Sequence, residues 1–313
     1  MEAAVNLQCN QLEQALQLFT KIVGNRYILH TRAAIDAVAV LALIQHMLGQ
    51  KGAVEESCKL IMEYARELED PMYMSVALSC EAHIALLNGD LKTALEWEST
   101  VQSTPSMAEL FMWLEVPVIT QIRVLITEGS EKSLSKASGL LEEVRKISEA
   151  CHFLNHIIEA GVLQTMLYEK QNLHQKALDT LTDALIRAEP GPWLRPFIEA
   201  GREIEELLGE LNEQGIAPGM IHKLHHAFER PIEEVSLRPD IPPKVTLRES
   251  EDLTRRELEI IQHLSEGLRN KEIAQRLYVS EGTIKKHLYN MCQKLEVRGR
   301  MNLLRKAREL NHL

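Results

Sequence analysis

Aromatic residues are scarce in this chain, 4% of 313, and glycine and proline number only 15 and 11. Strands draw on aromatic and β-branched side chains and tight turns on Gly and Pro. Leu, Ala, Glu, Lys, Gln and Arg dominate instead, and these favour helix, so the expected fold is all-α. No apolar run approaches the roughly 18 residues that a membrane helix needs. Met1 opens a polar segment without a signal-peptide core, so a soluble, cytoplasmic protein with no membrane contact is expected. The five cysteines, Cys9, Cys58, Cys80, Cys151 and Cys292, are odd in number and scattered, with no C-x-x-C pair for zinc or redox chemistry. They read as small core hydrophobes. Neither a G-x-x-x-x-G-K-[ST] loop nor a G-x-G-x-x-G turn is present, and no H-E-x-x-H. ATP hydrolysis, a catalytic site, a metal and a cofactor are therefore not expected.

The net charge of -10 speaks against a polyanionic partner until it is divided. Up to Pro243 the chain holds 20 basic and 35 acidic side chains, a balance of -15; from Lys244 onward it holds 15 and 10, a balance of +5. An acidic body joined to a small basic unit is the pattern of a domain that meets phosphates. Between them Arg230 to Asp252 reads RPIEEVSLRPDIPPKVTLRESED, whose four prolines and dense charge prevent a long helix. The expected organisation is a repeat domain over residues 1–229, a linker over 230–252 and a second domain over 253–313.

Upstream of the linker a pattern recurs roughly every 40 residues, the period of helical-pair solenoids. Apolar runs at helical spacing alternate with polar breaks, GQKGAVEES at Gly49, NGDLKTALEW at Asn88, EGSEKSLSKASGLL at Glu128 and KQNLHQKALDTL at Lys170. Ala94, Ala137 and Ala177 hold equivalent places, where a small residue lets neighbouring helices approach closely. Asp90 and Ser133 are candidate caps. This is tetratricopeptide-like packing. Each helical pair exposes an apolar face that the next one covers, which produces a superhelix with a concave binding surface. A small-molecule effector or a regulatory protein is the expected partner there. The chain opens within an apparent repeat helix, NQLEQALQLFTKIV, which raises the expectation of a further unit upstream.

From Leu253 the sequence parses into four short amphipathic helices. Thr254 and Glu257 suit a capping box; Leu258, Ile261 and Leu264 form one stripe, and Gly267 ends the first helix. Asn270 is the candidate cap of the second helix, which buries Ile273, Ala274 and Leu277. After a turn at Tyr278-Val279, Ser280 can cap the third, giving helix-turn-helix spacing. In this third helix, about residues 281–295, Ile284, Leu288, Met291 and Leu295 fall on one face. The other face carries cationic and hydrogen-bonding side chains suited to the major groove of double-stranded DNA. Lys286 and Tyr289 are candidates for base edges and Lys285 for a base or a phosphate. Thr283, His287 and Lys294 are candidates for phosphates, and Gly282 would admit close backbone approach.

With these residues in view, LTRRELEII, NKEIAQRL and SEGTIKKHLYNMCQKL resemble the LuxR-type (GerE/NarL-like) helix-turn-helix. The resemblance implies that the third helix reads DNA and that the fourth serves dimerisation, with Met301, Leu304 and Ala307 as candidates and a homodimer on DNA. IIEAGVLQTMLYEKQNLHQKALDTLTDALIRAEP and RPFIEAGREIEELL are similar to the helical-repeat domain of the large ATP-binding LuxR regulators of the MalT-like class. The whole chain thus resembles the C-terminal portion of such a regulator. A sigma-factor region shares part of the helix-turn-helix pattern, and a repeat-domain adaptor with a vestigial DNA module is the rival from a different class. Two histidine groupings, His222, His225 and His226, and His152, His156 and Glu159, have helical spacing but read as ordinary helix residues more readily than as metal ligands.

Overall fold

The computed structural model describes residues 2–26, 29–101, 105–111, 114–191, 193–229, 253, 255–277, 279–295, 297 and 300–310. Of residues 229, 255, 281, 285, 286, 289, 292, 293, 301 and 309 it describes the backbone alone. The chain divides into two compact units, Met1–Glu234 and Val235–Leu313. The division falls inside the segment expected to be a linker, which lies outside the described residues. All regular structure among the described residues is helical, and no described helix is long and apolar enough to cross a membrane.

The first unit runs α1 (Glu2–Gln8), α2 (Leu12–Gly24), α3 (Thr31–Met47), α4 (Lys51–Leu68), α5 (Pro71–Leu87), α6 (Leu91–Glu98) and α7 (Met107–Leu110). It continues with α8 (Pro117–Glu128), α9 (Glu131–Cys151), α10 (Leu154–Lys170), α11 (His174–Ala188), α12 (Arg195–Glu199), α13 (Arg202–Glu213) and α14 (Pro218–Glu229). Helices α3, α5, α8 and α10 pack on one another in succession, and α4, α6, α9 and α11 each lie against the one before. The two sets bury different amounts of surface. α3 is buried at every position from Ala34 to Ile44, and α8 from Pro117 to Ile126. α9 is buried only along Leu134, Ala137, Leu141, Val144 and Ser148. A helix enclosed by its partner and both neighbours is apolar all round, whereas one on the outside keeps a single stripe.

Ala94, Ala137 and Ala177 are completely buried. At Gly161 an added Cβ would stand 3.2 Å from that of Ala184, so α10 and α11 meet backbone to backbone. The Asp90 carboxylate accepts from Thr93 N–H at 3.2 Å and caps α6. At α9 the expected cap is corrected: Ser130 accepts from Ser133 N–H at 3.2 Å, so Ser133 sits inside the first turn. Gly129, at φ 78, permits this abrupt end of α8 one residue earlier.

Two features depart from a plain repeat. α6 has 8 residues where α9 has 21, and the chain saved there folds inward through α7, leaving Leu110 fully buried. Leu114 and Glu115 N–H both donate to the Asp36 carboxylate, at 3.0 to 3.2 Å, which pins this segment to α3. The two ends of the unit also meet. α1 packs on α12, Leu194 N–H donates to the Gln8 carbonyl at 2.9 Å, and Arg195 Nη1 donates to Asn10 Oδ1 at 3.0 Å.

The second unit contains α15 (Arg255–Ser265), α16 (Asn270–Arg276), α17 (Glu281–Lys294) and α18 (Arg300–Glu309). Its core joins Ile260, Ile261 and Leu264 of α15, Ile273 of α16, Ile284 and Met291 of α17 and Leu303 of α18. α17 packs against all three other helices.

Candidate nucleic-acid interface and repeat-domain cavity

The turn between α16 and α17 is held by side chains that satisfy chain ends. Gly267, at φ 83, lets Leu268 N–H return to the His263 carbonyl and closes α15. The cap of α16 is corrected from Asn270 to Arg269, whose N–H donates to the Glu272 carboxylate at 2.6 Å; Asn270 is already the first helical residue. Arg256 donates to the Leu277 carbonyl at 2.8 Å, and Arg300 to that of Leu268 at 2.6 Å. These arginines supply partners to carbonyls that the helix ends leave over. Ser280 Oγ accepts from Thr283 N–H at 3.0 Å and bonds its hydroxyl at 2.8 Å, which fixes the start of α17. Among the described residues a Cβ at Gly282 would meet only Ser280 Oγ, at 3.6 Å, so none of them requires glycine there.

The candidate contacts separate accordingly. Ile284, Met291 and Leu295 are buried and Leu288 is half-buried. The side chains of Lys285, Lys286, Tyr289 and Met301 lie outside the described residues, as does Thr254 of the expected capping box. Thr283 is half-buried at the cap. His287 is 6% exposed and belongs to the interior, so the expected phosphate contact is corrected: its position on α17 turns toward the packed side. Lys294 is also committed within the unit, its Nζ donating to the buried Glu257 carboxylate at 2.9 Å. Ala307 is completely buried beside Leu303 and is withdrawn as a dimer contact, while Leu304 is half-buried against the same core. Lys294→Ala is therefore expected to destabilise the second unit by about 1.5–3 kcal/mol, the worth of a charged hydrogen bond to a buried partner. Guanidinium unfolding of parent and variant measures this; an unchanged midpoint with weaker DNA binding would return Lys294 to the phosphates.

Inside the repeat domain, polar side chains converge from helices that are otherwise apolar. Glu115, 2% exposed, accepts from Ser79 Oγ at 2.5 Å, Thr120 Oγ1 at 2.7 Å and His83 Nδ1 at 2.9 Å. Burial pushes its carboxyl up, but His83, Ser79 and Thr120 together outweigh burial and hold it below the ordinary value. Arg123 Nη2 bridges Glu159 at 2.7 Å and Glu199 at 2.9 Å, and Arg195 Nε joins Glu199 at 2.7 Å. Burial raises Glu199 as well; Arg195 and then Arg123 reverse this and hold it at about 2. Asp36 goes the other way: burial takes it up to about 7 against the pull of the Glu115 and Leu114 amides.

His83, Glu115, Thr120, Arg123, Arg195 and Glu199 border a cavity of about 50 Å³, lined from α1, α3, α5, α8, α10, α12 and the segment at Glu115. Of the residues weighed as metal candidates, His156 and Glu159 line it, while His152 ends α9 at φ 57. His222 and His226 lie on the exposed side of α14. Among the described residues no three His, Cys, Asp or Glu side chains are grouped to hold a metal. The polar interior had a signal in the sequence that went unused: Asp36 stands in AAIDAVAVLALI and Arg123 in PVITQIRVLI, single charges within runs too apolar to leave the core.

The second unit is thus a capped helix-turn-helix over a compact core, and the first is a helical-repeat domain. The MalT-like TPR region family matches residues 2–214, and the luxR family of bacterial regulatory proteins matches residues 251–307. The chain belongs to the MalT-like TPR region family, and the luxR match lies within its second unit. It is similar to the HTH-type transcriptional regulator MalT of Serratia proteamaculans (strain 568), 21% identical over 318 residues that cover 96% of this chain. The chain spans 34% of that relative's length.

Proposed function

We propose that α17 enters the major groove of double-stranded DNA and that the repeat-domain interior receives the signal that governs this binding. The mechanism is noncovalent, with no catalytic step. The observation that carries the reading is the Ser280-capped α17 with a glycine at position 282 that no described residue of its own unit requires. A helix start that presents N–H groups and lacks a Cβ suits close approach to phosphate. Lys286 and Tyr289 would read bases, and Lys285 and Thr283 would assist at bases or backbone. The repeat domain over 1–229 and the helix-turn-helix over 253–313 then divide sensing from delivery across the 230–252 linker. A homodimer on a repeated half-site, with Met301 and Leu304 on the facing helix, would gain affinity through effective concentration.

The test is selection from a random double-stranded DNA pool by the full chain across a salt series. Enrichment of one motif, with affinity falling steeply as salt rises, is expected; no enrichment at any salt overturns the reading in favour of a protein-binding adaptor. Gly282→Ala is expected to leave stability unchanged or raise it by up to about 1 kcal/mol, while DNA affinity falls about tenfold, roughly the 1.4 kcal/mol of one lost close contact. Undiminished binding would remove this helix start from the interface. Lys286→Ala is expected to relax preference at one base position, by about 1–3 kcal/mol of discrimination, read by repeating the selection.

A further inference from the structure

A second cavity lies on the outside of the repeat domain, a cleft of about 370 Å³ between α14 and the turn that joins α1 to α2. Sites for small molecules begin at about 300 Å³. Both walls are fixed. Met220, Ile221 and Leu224 are buried on the inner side of α14, which leaves His222, Lys223 and His226 on the side that lines the cleft. The turn holds Asn10 at φ 57 and is anchored from the far end of the domain, by Leu194 N–H on the Gln8 carbonyl and by Arg195 on Asn10.

The charge of the cleft is the reverse of the domain's. Residues 1–243 hold 20 basic and 35 acidic side chains, yet among the described residues no Asp or Glu lines this cleft. Its ionisable side chains are His222, Lys223, His226 and Cys9, and burial pushes the Cys9 thiol up, so it stays neutral. Elsewhere in the domain basic side chains find acids: Lys136 holds Glu98, Lys170 holds Glu203, and His174 bridges Glu169 and Glu210. The side chains of His222, Lys223 and His226 have no such partner among the described residues. Donors dominate as well. A lysine ammonium brings three N–H groups, and an imidazole brings one when neutral and two when protonated. Asn10 Oδ1 is taken by Arg195 Nη1 at 3.0 Å, so the part of its amide left over is the NH2 group. Donors on two walls suit a tetrahedral oxyanion, with acceptors on every side, better than a planar carboxylate. Leu194 and Ala227 add apolar surface for an organic body beside it.

We propose that this cleft binds a phosphoryl group, carried by a small organic phosphate or present as inorganic phosphate. It shares no lining residue with the interior cavity and includes none from the second unit, so it stands whether or not the chain binds DNA. An anion held by α14 and the α1–α2 turn ties the last helix of the repeat domain to its first two.

The experiment is calorimetric titration of the full chain at pH 7 with phenyl phosphate, inorganic phosphate and benzoate at matched ionic strength. Saturable binding of phenyl phosphate is expected, with benzoate, which has the same ring and a planar anion, at least about tenfold weaker. Inorganic phosphate distinguishes the source: equal affinity makes the free anion the ligand, weaker affinity an organic phosphate, and both keep the phosphoryl site. Lys223→Gln and His226→Gln change exposed side chains and are expected to leave Tm unaltered while each weakens phenyl phosphate about tenfold, as the loss of one charged hydrogen bond does. Lys51→Gln removes the same charge from an exposed position on α4 and is expected to change nothing. The proposal is overturned by no saturable binding, by benzoate binding as tightly, by Lys223→Gln binding like the parent, or by Lys51→Gln weakening it equally. DNA selection on the same preparations separates the two readings: DNA binding without phosphate binding removes this proposal and leaves the regulator, and the reverse removes the regulator alone.

Discussion

Glu115→Ala is expected to lower the stability of the repeat domain by about 3–5 kcal/mol at pH 7, the range for removing one partner of a buried charged network. The substitution leaves Ser79, Thr120 and His83 without the acceptor they share. It also opens a space beside the cavity that Glu115 lines. Since a domain of this kind is stable by about 5–15 kcal/mol, the variant should unfold at much lower urea, with an unchanged slope. The sign with pH is fixed by the direction of the shift. Glu115 is held below its ordinary 4.5 in the folded state, so its contribution is complete above pH 4.5 and lost as the pH falls through the folded value. The gap between parent and variant should narrow in acid. A loss under about 1 kcal/mol at pH 7 would mean that water replaces the carboxylate at little penalty, and the buried network would not be what fixes the 114–116 segment.

Asp36→Asn is expected to act in the opposite direction. Burial lifts this carboxyl from 3.8 to about 7 in spite of the two amides that donate to it, so folding takes up a proton between those values. The parent's stability from this group is full below pH 3.8 and declines as the pH rises to about 7. Asparagine is neutral throughout and retains an oxygen where Oδ1 accepts from both Leu114 and Glu115 N–H. The variant should match the parent near pH 4 and exceed it above pH 7 by up to about 4 kcal/mol, at 1.36 kcal/mol per unit. Comparing the two chains at each pH cancels the other titrating groups, Glu199 among them. A less stable variant at pH 8 would show that the amides hold Asp36 as the carboxylate, which would reverse the sign assigned to its burial.

The helical pattern was legible because its cause is local. Ala94, Ala137 and Ala177 are buried where a 40-residue period placed them, and Ile284, Met291 and Leu295 face the core that their spacing required. Capping was legible only to within a residue or so. Ser133 and Asn270 gave way to Ser130 and Arg269, because several residues near a helix start can supply an oxygen or an amide and local geometry chooses among them. Surface chemistry was harder still. His287 and Lys294 are candidates for phosphates and Ala307, through the family resemblance, for a dimer contact, yet the first and third are buried and the second is tied to Glu257. Spacing along one helix marks a single apolar face, whereas α17 and α18 each touch more than one neighbouring helix.

Composition, periodicity and the charge division sufficed for an all-helical chain with a repeat domain and a basic helix-turn-helix, since each is a property of short segments. Which charges lie in the interior was decided by folding alone. Asp36, His83, Glu115, Arg123, Glu159 and Glu199 are spread over more than 160 residues, and they come together because α3, α5, α8 and α10 stack into one wall and α12 closes on α1. A single charge in an apolar run can be noticed in the sequence, but its partner is chosen by helices far along the chain, and only the packed superhelix brings the two within hydrogen-bonding distance.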